Sequence, residues 1–179
     1  MRKALYILGH LNDSDANWLA AHGVRRKLVD GEVIIRAGMP VDGLYISLEG
    51  ALGVKLADGQ AVAKLGPGEI IGEIAFVDSA LPTATVFAIG AAVVLEVDKK
   101  LLQQHMQADV GFAARFYQAV AIFLADRLRA TTQRLGYGKT VRLDQSVVQE
   151  DELDETILDK VSEAGERFDR LLRMVATER

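Results

Sequence analysis

The chain has 179 residues, half of them apolar, with a formal net charge of −4 and an isoelectric point near 5.4. That is enough for one good core with a small appendage, and the acidity does not suit a nucleic-acid binder. With no cysteine, the chain cannot form disulfides, thiolate zinc sites or cysteine-held iron–sulfur clusters, and it has no cysteine nucleophile.

In chain order, "MRKALYILGHLNDSD" carries a short apolar run interrupted by Asn12 and Asp13, with no cleavage site after it. No stretch reaches the roughly 20 apolar residues of a membrane span, so a soluble cytoplasmic protein without a membrane partner is expected. Residues 13–22 predict a short helix capped by Asp13 or Ser14, with Trp18 and Leu19 facing inward and Gly23 at its end. "VRRK" at residues 24–27 is the one tight basic cluster, read as a solvated face at the start of a strand. From Lys27 to Asp98 the sequence consists of short β-branched runs punctuated by glycine, such as "EVIIRAG", "GLYISLEG", "ALGVKLADG" and "AVVLEVD". Leu44, Ile46 and Leu48 alternate with Tyr45, Ser47 and Glu49, and Asp58-Gly59 is a hairpin signal. Many short strands without intervening helices predict an antiparallel sandwich or jelly roll.

After Asp98 the period becomes helical. Asp98 caps "DKKLLQQHM", and a longer helix runs from about Val110 to Leu135 with Phe112, Phe116, Ala119, Phe123 and Ala130 on one stripe. That apolar surface is wide for a helix leaning on a small β domain, which suggests a second copy of the chain against part of it. "GYGKT" breaks the helix and the acidic run "QEDELDE" follows. Leu153, Ile157, Val161, Ala164, Phe168, Leu171 and Val175 then mark a C-terminal amphipathic helix, weakened at Gly165. The organisation expected is a domain over residues 1–136 and an acidic linker with an amphipathic helix over 137–179.

"GEVIIRAGMPVDGLYISLEGALGV", "LGPGEIIGEIAFVDSALPTATVFA" and "FLADRLRATTQ", in this order over a hundred residues, resemble the cyclic-nucleotide-binding domain of the Crp/Fnr and protein kinase A regulatory families. The resemblance implies a mostly β, α+β fold: an antiparallel β-roll with an N-terminal helix, a long C-helix and here a helical extension. The second segment is similar to the family's phosphate-binding cassette. Gly72 would let a ligand approach the backbone, and a helical turn after Glu73 would aim the N–H groups of Ile74 and Ala75 outward. The resemblance assigns Glu73 to a sugar hydroxyl; read without it, Glu73 is a helix-start carboxylate stabilising its own turn. Thr131 and Thr132 fall where a family member places hydroxyl residues that meet the base.

The departure from the pattern is at position 82. Ligand-binding members carry an Arg nine positions after the Glu, paired with the cyclic phosphate; here Pro82 stands there, followed by Thr83 and Ala84. Proline has neither charge nor N–H. Glu69, Glu73 and Asp78 leave the field negative unless Lys64 or Arg127 swings in. The residues specify no certain cofactor. The resemblance implies weak binding of cAMP or cGMP, or of another nucleotide, and the competing expectation is a ligand-independent scaffold. The family's transcription factors continue into a winged helix-turn-helix, whereas residues 137–179 are acidic and mostly one helix, so direct DNA binding is not expected. A homodimer along the C-helix and a protein partner at the C-terminal helix are expected instead. His10, His22 and His105 are far apart in sequence, and Ser47, Ser79 and Ser146 lie in no nucleophile-elbow context, so no enzyme is expected.

Overall fold

The computed structural model of the chain describes residues 8–78, 80–134 and 155–177. The expected break at "GYGKT", Leu135, Leu153 and most of the acidic run lie outside them. Helix α1 (Asp13–His22) leads into β1 (Val24–Leu28), β2 (Val33–Ile35), β3 (Gly43–Leu56), β4 (Ala61–Leu65) and β5 (Ile70–Ile71). A single turn, α2 (Ile74–Val77), precedes β6 (Ala84–Asp98), then α3 (Lys99–Ala108), α4 (Val110–Arg134) and α5 (Glu155–Thr177). All pairings are antiparallel, in the order β1-β6-β3-β4, with β2 on β6 and β5 on β3. This is the β-roll with flanking helices that the sequence predicts.

The strands are fewer and longer than the glycine punctuation suggests. "GLYISLEG" and "ALGVKLADG" merge into β3, and "TATVFAIG" and "AVVLEVD" merge into β6. Register shifts on either side of Glu49 let the paired β3 and β6 bend without ending. The basic cluster belongs to β1, which starts at Val24, and its two arginines are paired: Arg25 with Glu49 and Arg26 with both Glu32 and Glu96.

The alternation in β3 separates two cores. Leu44, Ile46 and Leu48 face the helices and pack with Leu19, Leu102, Phe112 and Phe116. Tyr45 faces the interior of the roll with Leu52, Ile71, Val86 and Val94. Ser47 is also fully buried, while Glu49 is exposed. Each large side chain buried in these layers contributes about 1.5–3 kcal/mol.

Local signals set the helix ends. The N-cap of α1 is Asn12 rather than Asp13 or Ser14, because its Oδ1 accepts the Asp15 N–H while the Asp15 carboxylate accepts the Asn12 N–H, both at 2.9 Å. Asp98 caps α3 as expected, accepting from Leu101 N–H at 2.9 Å. Asp109 does the same for α4, accepting from Phe112 N–H at 2.8 Å, and this bond holds its carboxyl below the usual range. Helix α5 lays Ala164, Leu171 and Val175 into the same core as Leu19 and packs along α1 within the chain. Its Arg167 and Arg170 both bind Asp13 at 2.9 Å.

Candidate functional site

The site is built where β5 ends. Ile70 and Ile71 pair with Ile46 and Tyr45, and Gly72 then turns the chain away at φ +91°. Only glycine fits there: a Cβ would sit 2.6 Å from the carbonyl oxygen of Gly43. The turn of α2 follows, with Phe76 N–H donating to Glu73 O at 3.1 Å and Asp78 N–H to Ile74 O at 3.0 Å. The Ala75 N–H does not project outward as expected; it donates to Gly72 O at 3.2 Å inside its own turn. With only four residues, α2 also lacks the aligned dipoles that make a long helix N-terminus attractive to anions.

After α2, the Asp78 carboxylate accepts the Ala80 N–H and turns the chain towards β6. Two bonds fasten this return to the loop between β2 and β3. Gly38 N–H donates to the Pro82 carbonyl at 2.8 Å, and Ala37 N–H to Thr85 Oγ1 at 3.1 Å. Pro82 is therefore held through its acceptor, and its missing N–H leaves no bond unmade.

Between this cassette and the roll lies a cavity of about 330 Å³. Ile35, Val54, Leu65, Ile71 and Val86 form its inner wall; Gly72, Glu73, Ile74, Ala75, Pro82, Thr83 and Ala84 face it from the cassette. The structure thus brings together seven of the nine expected site residues. The Glu73 side chain makes no capping hydrogen bond to its own turn; it is 2% exposed and lies in the cavity wall. Thr132 is not among the described lining residues. The Thr132 hydroxyl, exposed, donates to Leu128 O at 2.9 Å, and the Thr131 side chain lies outside the described residues.

Among the described lining residues there are two carboxylates, Glu73 and Asp78, and no Arg or Lys. Lys64 cannot supply the missing charge by swinging in: it precedes Leu65, which faces the cavity, and strand alternation points it to the outer surface. The Arg127 side chain lies outside the described residues.

The cassette touches α4 directly. The Phe76 ring meets Phe116 edge-on at 5.7 Å, and the Tyr117 hydroxyl donates to Phe76 O at 3.4 Å. Behind Phe116, Phe112 leads to an aromatic cluster that spacing alone hides. Both His22 of α1 and His105 of α3, distant in sequence, stack on Trp18, with centroids 4.4 and 4.0 Å away, and Phe112 tilts against the same indole at 5.9 Å. The interleaving of Trp18, His105 and Phe112 at helical positions was the one available signal, and only the fold shows that three helices meet there.

Residues 25–109 match the family model of the cyclic nucleotide-binding domain. Glutaminase 2 of Bradyrhizobium diazoefficiens is 27% identical over 129 residues, 72% of this chain and 20% of that protein. The cAMP-dependent protein kinase type II regulatory subunit of Drosophila melanogaster is 34% identical over 98 residues, 53% of this chain and 24% of that one. The chain therefore spans about a fifth to a quarter of these relatives. Among solved structures, the N-terminal domain of a transcriptional regulator from Streptomyces coelicolor A3(2) superposes with a TM-score of 0.58 at 29% identity, covering 74% of this chain and 93% of that one. A transcriptional regulator from Thermotoga maritima shares the fold, with a TM-score of 0.53 at 19% identity over 70% of this chain and 98% of its own. Among the described residues no helix is long and apolar enough to cross a membrane. Residues 25–109 thus carry a cyclic nucleotide-binding domain.

Proposed function

We propose that this chain is a regulatory module in which occupancy of the cassette cavity changes the docking of α4, and that its affinity for cyclic monophosphates is low. One observation carries the reading: the turn whose Ile74 and Ala75 line the cavity is in direct contact with α4 through Phe76, which meets Phe116 and Tyr117. A ligand that displaces the cassette turn has to repack that contact, and a ligand binding one docking of α4 better than another shifts the balance between them. The low affinity follows from position 82. A charge-assisted hydrogen bond contributes about 1.5–3 kcal/mol, so its loss weakens phosphate binding about ten- to a hundredfold or more.

Titration calorimetry with cAMP and cGMP, followed in parallel by Trp18 emission, tests this. Trp18 is the only tryptophan and touches α3 and α4, so its emission reports on their docking. Weak binding in the unaltered chain, rising at least tenfold in Pro82→Arg with a change in emission, is the expected result. No binding in either protein favours the second reading, a ligand-independent scaffold on the same fold.

The module acts through other chains. Leu128 of α4 is 69% exposed and Tyr117 47%, an uncovered apolar edge consistent with a homodimer along this helix. Leu128→Glu is expected to lower the mass measured by light scattering to that of one chain; an unchanged mass rejects this interface. A protein partner at α5 has to use its outer side, since its apolar face is already occupied by α1.

A further inference from the structure

We infer that the cassette cavity selects an uncharged, largely apolar small molecule over an anionic one of the same size. This rests on the reading of the cavity as a ligand site and names the class of ligand. The inner wall is aliphatic throughout, from Ile35 and Val54 to Leu65, Ile71 and Val86. The mouth is aliphatic as well: Ile74 and Leu81 line the cavity yet stay 48% and 52% exposed. Apolar side chains at an open rim contribute when a ligand covers them and removes them from water. At about 330 Å³ the cavity lies at the lower end of the roughly 300–1,000 Å³ range of small-molecule sites, which are mostly apolar with a few polar groups.

The charges act in the same direction. An anion entering this space gives up water and meets no cation among the described lining residues. The amide of Ala75 is already bonded to Gly72 O, so it does not replace the lost water. A neutral molecule avoids that cost and keeps the whole apolar contact. The exposed guanidinium nearest in sequence to the wall is Arg36, next to Ile35 in a loop tied to Pro82 and Thr85; it is not among the lining residues.

The test uses the full chain, with the neutral dye Nile red as reporter and octan-1-ol and octanoate as competitors matched in length. Octan-1-ol is expected to displace the dye at a concentration at least tenfold lower than octanoate. Pro82→Arg is expected to erase or reverse that preference, because it adds a cation without removing apolar wall. Ala84→Phe, which fills the cavity, is expected to abolish dye binding; if it fails to fold, the Pro82→Arg comparison still decides. Octanoate competing as well as octan-1-ol in the unaltered chain overturns the inference. So does micromolar cAMP binding that is lost in Arg36→Ala, which would place a loop cation in the site while leaving the sensory reading intact. If no probe binds and Pro82→Arg does not respond to cAMP, inference and sensory reading both fall.

Discussion

Arg115 of α4 clasps Asp15 of α1 through two parallel hydrogen bonds, Nε to Oδ2 at 2.7 Å and Nη2 to Oδ1 at 2.8 Å. The Asp15 side chain is 3% exposed and also accepts the Asn12 N–H, so one buried carboxylate both caps α1 and ties it to the helix that touches the cassette. Removing one member of such a pair leaves the other without its partner. Arg115 is 33% exposed and can regain water, which places the cost near the lower end of the buried-pair range. Asp15→Ala is expected to lower unfolding stability by about 3 kcal/mol in urea. Asp15→Asn, which keeps an acceptor without the charge, is expected to lose about half as much. A loss below about 0.5 kcal/mol in Asp15→Ala would mean that apolar packing alone holds α1 on α4.

Tyr45 gives a prediction in the alkaline range. Its ring lies in the roll interior, and its hydroxyl donates to Glu96 Oε1 at 3.2 Å. Burial, with the Glu96 charge beside it, pushes the phenol up to about 12. The folded value lies above that of the unfolded chain, near 10, so the neutral phenol's contribution is fully present below pH 10 and is lost between pH 10 and 12. Melting temperature should therefore fall more steeply over that interval in the unaltered chain than in Tyr45→Phe, where this ionisation is absent. Parallel slopes in the two proteins would exclude Tyr45 as the group responsible.

These two sites show what the sequence carries and what it hides. The period-two runs and the Asp58-Gly59 turn are local signals, and they gave the antiparallel roll; Asp98 gave the start of α3. Glycines 50 and 90 misled, since each reads as a strand end while the register of β3 against β6 carries the chain through. The turn at Gly72 was legible because backbone geometry demands glycine there, and Pro82 lines the same cavity nine positions after Glu73. The Ala75 amide was not legible, since its bond to Gly72 O depends on how tightly α2 winds. The Asp15–Arg115 pair spans 100 residues and leaves no periodic trace, and the stacking of His22 and His105 on Trp18 needs three helices to converge. Contacts of that kind become visible only once the sheet has set where the helices lie.

Gly72 separates backbone conformation from crowding. At φ +91° any other residue is strained, and at this position a Cβ also collides with the Gly43 carbonyl. Gly59, in the β3–β4 hairpin, has φ +87° with open space around its Cβ position. Gly59→Ala should therefore show the conformational cost alone, about 1 kcal/mol, while Gly72→Ala should cost at least about 2 kcal/mol. Thermal melts of the two variants give the comparison. Nile red binding is expected to weaken only in Gly72→Ala, because only there does the cavity wall have to move; equal dye binding in both variants would separate the turn at Gly72 from the cavity.

The hold of α5 on α1 combines an apolar seat with a charged clamp, and the two respond differently to solution conditions. Hydrogen bonds from Arg167 and Arg170 hold the Asp13 carboxyl below its ordinary value, outweighing the opposing effect of burial. The folded value is thus depressed: the clamp's contribution is complete above the unfolded value near 3.8 and disappears as pH falls through the folded one. Between pH 5 and 8 the attachment should not vary with pH, but added salt should weaken it, since Asp13 is 55% and Arg170 48% exposed. Arg167 is the stronger anchor. Its side chain is only 14% exposed, and it also donates to Leu8 O at 3.1 Å and binds Glu163 at 2.9 Å. Hydrogen exchange along α5 should therefore accelerate more in Arg167→Ala than in Arg170→Ala. The difference between Asp13→Asn and the unaltered chain should vanish once the pH has fallen well below the depressed folded value, where both lack the charge. Undiminished protection in Arg167→Ala would assign the attachment to Ala164, Leu171 and Val175 alone.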